Sequence, residues 1–165
     1  MKGRFIAGYI LVFLGILLMI ATGGFIIEIM TSPPPAGAGI AGALLVALGL
    51  GIAVLGYIGS GLIFLLPGAY LVRTHESSIR PIIGIIVFII TLLFPVLIIM
   101  NEGSALGLIP LLITFSLPSA IMMMTGSGRI ALWILIALLV MDAIVIMISM
   151  YGFPIGGGTG PPVRP

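Results

Sequence analysis

Five apolar runs, each close to or beyond the length of a bilayer crossing, account for 125 of the 165 residues. About 20 apolar residues cover a hydrocarbon core of roughly 30 Å. Inside that core no water completes backbone hydrogen bonds, so a single chain of this kind closes them within helices. The runs fall at residues 5–30, 38–72, 81–100, 104–124 and 129–151. Charged residues make up 6% of the chain, against roughly 25% in soluble domains. The expected fold is an all-α integral membrane protein, a five-helix transmembrane bundle. Residues 152–165 form a tail rich in Gly and Pro that is expected to be extended or disordered.

The boundaries follow from helix-breaking chemistry. Thr31-Ser32-Pro33-Pro34-Pro35 ends the first span, because consecutive prolines cannot continue a helix. Polar residues 73–80 close the second, and Pro81 sits in the first turn of the third, where its missing N–H costs nothing. Asn101-Glu102-Gly103 turns the chain, Ser104 is a candidate cap, and residues 125–128 make the last tight loop. Lys2, Arg4 and Ala21-Thr22-Gly23 give the N-terminus some features of a signal peptide. Its apolar stretch exceeds the usual ~7–15 residues of such a segment, so it reads as the first span.

The second run is too long for one straight crossing. Thirty-five helical residues would reach about 52 Å. A long kinked or broken second helix is therefore expected, with Gly56, Gly59, Gly61 and Pro67 as the point of departure. Splitting the run into two spans would place Arg73 and Arg80 on the outer side, which disfavours that option. With five spans and a cytoplasmic N-terminus, Lys2, Arg4, Arg73, Arg80 and Arg129 fall inside and Arg164 outside, as the positive-inside rule asks. Tyr9, Tyr70 and Trp133 then anchor the inner interface, and Phe25 and Tyr151 the outer one. The expected location is the cytoplasmic membrane, multi-pass, N-terminus in and C-terminus out.

Composition removes whole classes of chemistry. The chain has no cysteine and one histidine, so it cannot supply a thiolate metal site, an iron–sulfur cluster or a disulfide by itself. No cofactor or metal is expected. The dispersed basic residues form no run that would grip phosphates, which argues against nucleic acid as a partner. Gly37-Ala38-Gly39-Ile40-Ala41-Gly42 fits a dinucleotide-binding glycine pattern, but no strand precedes it. His75-Glu76 opens like a zinc-protease helix, yet Ile79 stands where the second histidine belongs. Ser60 lies between glycines with no base on the spans to activate it. Met122-Met123-Met124 reads as membrane-face packing.

A small set of polar residues remains. Asp142 lies deep in the fifth span, where an ionised carboxylate costs about 2.5–3.5 kcal/mol. It is either a proton-coupling or ion-coordinating group, an interhelical hydrogen-bonding acid held neutral, or a contact to another subunit. Thr91 precedes Pro95 by four residues and Thr114 precedes Pro118 by four, where a hydroxyl can serve the carbonyl that proline frees. The similar strings at 90–95 and 113–118 read as kinks that shape packing rather than as an inverted repeat. With Ser116 and Ser119, these residues are candidates for a small polar pocket. Ala43, Ala47 and Gly51, and separately Gly49 and Ala53, fall at four-residue spacing that lets helices approach closely in lipid.

Two functions compete on this reading. The first is a non-catalytic accessory subunit, in contact with lipid and with other membrane subunits of a larger complex, respiratory or transport. The second is a small homo-oligomeric proton-coupled transporter or channel that uses Asp142. A membrane-embedded enzyme ranks below both, because neither a nucleophile with its base nor a metal set can be assembled.

Overall fold

The computed structural model describes residues 2–32, 39–101 and 109–151. The proline stop at 33–35, the 102–103 part of the expected turn, the Ser104 cap and the 152–165 tail lie outside the described residues. All regular structure among the described residues is helical. In order it comprises α1 (Lys2–Thr31), α2 (Gly39–Gly59), a π-helical turn (Ser60–Leu65) and α3 (Leu66–Val72). These are followed by α4 (Ile79–Asn101), α5 (Ile109–Ile113), α6 (Ser116–Thr125) and α7 (Gly128–Tyr151). Four helices, Gly3–Thr31, Gly39–Val72, Ile79–Leu97 and Gly128–Ile148, are long and apolar enough to cross a membrane. The fifth apolar segment, Ile109–Thr125, is shorter and broken at Thr114 and Phe115.

Proline explains where the helices depart from α geometry. Pro67 has no N–H to offer the carbonyl four residues back, and the turn before it widens, the Leu66 N–H reaching the Gly61 carbonyl. The second span therefore stays continuous from Gly39 to Val72 and absorbs its proline as a π turn inside the glycine-rich stretch. Pro118 leaves the Thr114 carbonyl without its donor in the same way, and there the helix breaks and restarts as α6. Pro95 is accommodated within α4, which runs on to Asn101.

α1 is the spine of the bundle. Its buried residues Gly8, Val12, Gly15, Met19, Gly23 and Ile26 are spaced four, three, four, four and three apart, so they form one stripe. The opposite face is equally apolar and exposed, with Ile6, Ile10, Phe13 and Leu17 turned outward. What distinguishes the inner stripe is size. A side chain at Gly8 would run into Leu71 and Val72 of α3, one at Gly15 into Phe64 and Leu65 of the π turn, and one at Gly23 into Phe94 of α4. The contact between α1 and α3 is tightest at Gly68, where an added Cβ would sit 2.8 Å from the Gly8 carbonyl oxygen and 2.9 Å from the Val12 nitrogen.

A second close contact joins α4 to α6. A Cβ at Gly84 would lie 2.9 Å from the Met124 nitrogen and 3.1 Å from the Ala120 carbonyl oxygen. Gly126 then ends α6 with φ of 71°, a left-handed cap whose N–H returns to the Met122 carbonyl at 2.9 Å. That turn lays α7 back along α6. Ser77 starts α4, its Oγ accepting the Ile79 N–H at 3.2 Å.

These backbone approaches yield a direct test. Gly68→Ala forces α1 and α3 apart and is expected to cost about 1–3 kcal/mol, the usual range for overpacking. Gly24→Ala, at a position with open space, is expected to leave stability unchanged. Unfolding midpoints in detergent, read by far-ultraviolet circular dichroism, separate the two; equal midpoints for both variants would remove the close contact as a determinant.

Candidate functional site: a buried acid at a helix break

The break between α5 and α6 places polar atoms inside an apolar bundle. Thr114, Ser116 and Ser119 are all buried there, and Asp142 of α7 is 7% exposed. The Thr114 hydroxyl lies 2.6 Å from Asp142 Oδ2 and 2.7 Å from the Pro110 carbonyl oxygen. One hydroxyl carries one proton, and a carbonyl can only accept. The Thr114 hydroxyl is the donor to both oxygens, its proton shared between the carboxyl group and the Pro110 carbonyl. The other carboxyl oxygen, Oδ1, is buried without a hydrogen-bond partner among the described residues.

The remaining hydroxyls bond backbone across or beside the break. Ser116 donates to the Leu112 carbonyl at 3.3 Å, and Ser119 to the Phe115 carbonyl at 2.7 Å. They dress the carbonyls around the break, where regular helical bonding is interrupted. Thr91 of α4 is fully buried and its Oγ1 has no partner among the described residues. Of the polar residues singled out in the sequence, the structure thus joins Asp142 to Thr114. Ser116 and Ser119 sit beside that pair in sequence and bond backbone instead.

Opposite the break lies the π turn. A Cβ at Gly61 would be 2.9 Å from Phe115 Cβ and 3.2 Å from the Ser116 nitrogen. The two irregular segments therefore pack directly on one another, with Gly61 as the point of approach. Ser60 is fully buried and donates to the Tyr57 carbonyl at 2.6 Å. Tyr57 packs edge-on against Phe94, ring centroids 5.9 Å apart, and its hydroxyl is buried without a partner among the described residues.

The small-residue stripes of α2 part company. Ala53 is buried, and Gly49 is half-buried with Ile29 of α1 at 3.4 Å from where its Cβ would be. Ala43, Ala47 and Gly51 are exposed on the outside of the bundle, and Gly51 faces open space. Gly56 abuts Thr22 of α1, Gly59 faces open space, and Pro67 is exposed. Sequence reading did not single out Gly8, Gly15, Gly68 and Gly84, which make the tight contacts. For Gly8 and Gly15 the signal was the recurrence of glycine, with Gly23, along α1 at the helical stripe spacing; Gly68 and Gly84 carried no such pattern.

One end of the bundle gathers charge. His75, in the loop after α3, stacks on Phe5 with ring centroids 4.5 Å apart, and its Nδ1 lies 3.3 Å from the Tyr9 hydroxyl. Arg80 donates through Nη1 to the Arg73 carbonyl and lies against Gly126. Arg73 covers the Tyr70 ring at 3.9 Å. Arg129 is exposed in the first turn of α7 at the same end.

Helices of this length and apolarity, with large hydrophobic side chains turned outward on α1, α2, α4 and α7, define a multi-pass helical membrane protein in contact with lipid. Compared with protein-family models, with curated proteins and with solved structures, the chain gives no match.

The contact between α5 and α7 is testable by a double-mutant cycle. Thr114→Val and Asp142→Leu are expected to couple by about 0.6 kcal/mol, with roughly 1.7 as the ceiling seen for hydrogen bonds inside membranes. Asp142→Asn, whose side-chain carbonyl can still accept from Thr114, is expected to stay near wild-type stability. Additive losses in a detergent unfolding titration would show that the pair does not hold the helices together.

Proposed function

We propose that the protein is a non-catalytic accessory subunit of a larger membrane complex, docking through the outer face of α2 onto a transmembrane helix of a different chain. One observation carries the reading. α2 packs chiefly on α1, while its second small-residue stripe, Ala43, Ala47 and Gly51, is exposed. Lipid chains are as apolar as the rest of the surface, so a flat stripe gains from a helix that can bring its backbone close. Large residues flank it, Leu44 at 60% exposure and Leu48 at 55%, and would interdigitate with such a helix. The cytoplasmic membrane and an inward N-terminus belong to the same proposal. They rest on the arginine-rich end formed by the loop after α3 and the turn before α7.

Extraction of the full chain from its native membrane in mild detergent, with native electrophoresis and mass spectrometry, tests the reading. Wild-type chain is expected to migrate with larger subunits at fixed ratio. Gly51→Leu and Ala47→Leu are expected to release it, with unchanged unfolding midpoint in detergent. A monodisperse preparation of this chain alone, or undisturbed co-migration of both variants, would overturn it.

A second reading, a small homo-oligomeric proton-coupled transporter or channel, is favoured by the packing of two irregular segments, a π turn and a helix break, beside a buried acid. Transporters place coupling groups where helices are interrupted. On that reading Asp142→Asn abolishes proton-coupled flux in reconstituted vesicles, although the fold persists. Unchanged flux sinks the mechanism.

A further inference from the structure

A groove between α3 and the start of α7 takes no part in either reading. It encloses about 520 Å³. Met122 and Ala131, both buried, form its floor. Leu66 and Leu135 lie at one end, and Arg73 with Gly128 at the other. From Leu66 to Arg73 the helical rise is roughly 10 Å. Arg73 directly follows the span Gly39–Val72, and Gly128 opens the span Gly128–Ile148, so this second end lies at the membrane–water boundary. The groove is an apolar slot running inward from that boundary, and Arg73 is the charged residue in its lining.

The guanidinium is held at the mouth. The Tyr70 ring lies beneath it at 3.9 Å. Gly128 makes room for it, since a Cβ there would collide with Arg73 Nη1. Arg80 reinforces the positive charge: it binds the Arg73 carbonyl, and its Nε is buried without a partner among the described residues. Arg129 follows Gly128 and is exposed. Glu76, the acidic residue of the neighbouring loop, is exposed and does not line the groove.

We propose that this groove binds an anionic phospholipid, one acyl chain lying over Met122 and Ala131 and the phosphate meeting Arg73. The occupant follows from complementarity at both ends. An apolar slot opening at the interface beneath a fixed cation matches a molecule with a hydrocarbon chain and an anionic head. The acyl chain leaves one apolar medium for another, so discrimination among lipids comes from the head group. A zwitterionic head brings its own cation into the arginine cluster and is disfavoured.

Native mass spectrometry of the full chain in mild detergent, titrated with phosphatidylglycerol or with phosphatidylcholine of the same acyl chains, provides the test. Phosphatidylglycerol is expected to be retained roughly fivefold more strongly, the scale of one basic residue acting on an anionic head. Arg73→Gln abolishes that preference and Arg73→Lys keeps part of it. Arg4→Gln, an exposed arginine of α1 outside the groove, leaves it intact. Leu135→Trp fills the slot and lowers retention of both lipids. Should Arg73→Gln fail to fold, Leu135→Trp decides: undiminished phosphatidylglycerol retention in that variant overturns the site. Equal retention of the two lipids by wild type, equal losses in Arg73→Gln and Arg4→Gln, or displacement of the lipid by inorganic phosphate alone would each overturn it as well.

Discussion

The bundle is organised by one requirement, that a backbone group stripped of its helical partner must find another without water. Pro67 and Pro118 each remove a donor in the middle of an apolar segment, and an exposed polar group in lipid costs several kcal/mol. Just before Pro67 the helix widens, and the Leu66 N–H bonds the Gly61 carbonyl. At Pro118 it breaks and surrounds the break with hydroxyls from Thr114, Ser116 and Ser119. The two irregular segments then shield each other, because Gly61 lets Phe115 and Ser116 approach. Asp142 joins this polar interior through Thr114. The hydroxyl that holds this carboxyl group also serves the Pro110 carbonyl, so the acid and the backbone beside the break share one donor.

Association between helices in lipid depends on close contact rather than on expulsion of water. That shifts the burden from hydrophobicity to size. Gly8 and Gly68 bring α1 against α3, and Gly84 brings α4 against α6, each at distances where an added methyl group would meet backbone atoms. The large residues fill what the glycines bring together: Met19, Ile26, Tyr57 and Leu65 are all at or below 1% exposure. The fold is thus a set of glycine contacts surrounded by interdigitated side chains.

The same physics explains what could be read in the sequence. The all-helical class and the five apolar segments were legible, because a bilayer sets the length of each run and prolines and polar loops mark the ends. The Gly56 to Pro67 stretch announced a disturbance in the second span, and the π turn at Ser60–Leu65 is its form. A π turn rather than a break was not legible, since both relieve a missing donor and the choice depends on what packs opposite. Helix orientation was the harder part. In a soluble helix the buried face is the apolar one; here α1 is apolar all round, and its inner stripe is marked by glycine. The more regular small-residue stripe of α2 drew attention to Ala43, Ala47 and Gly51, which the structure places outside. Asp142 and Thr114 were legible as costly residues in lipid, but nothing in their spacing linked positions 28 residues apart.

The contrast between inside and outside also bears on what the molecule can do. Thr114, Ser116 and Ser119 bond carbonyls around the break, and Asp142 has one oxygen engaged by Thr114. The features left over lie on the perimeter: the exposed stripe of α2, and the groove beside α3 with Arg73 at its mouth. They sit on elements that the spine α1 holds by glycine contacts, α3 most closely. A partner helix on α2 and a lipid beside α3 would act on one continuous span, Gly39–Val72, from its two ends. The π turn lies between those ends, and it is the segment whose geometry already departs from the regular helix. Gly61 in that turn packs on Phe115 and Ser116, beside the Thr114 that bonds Asp142, so the two perimeter surfaces flank one irregular interior.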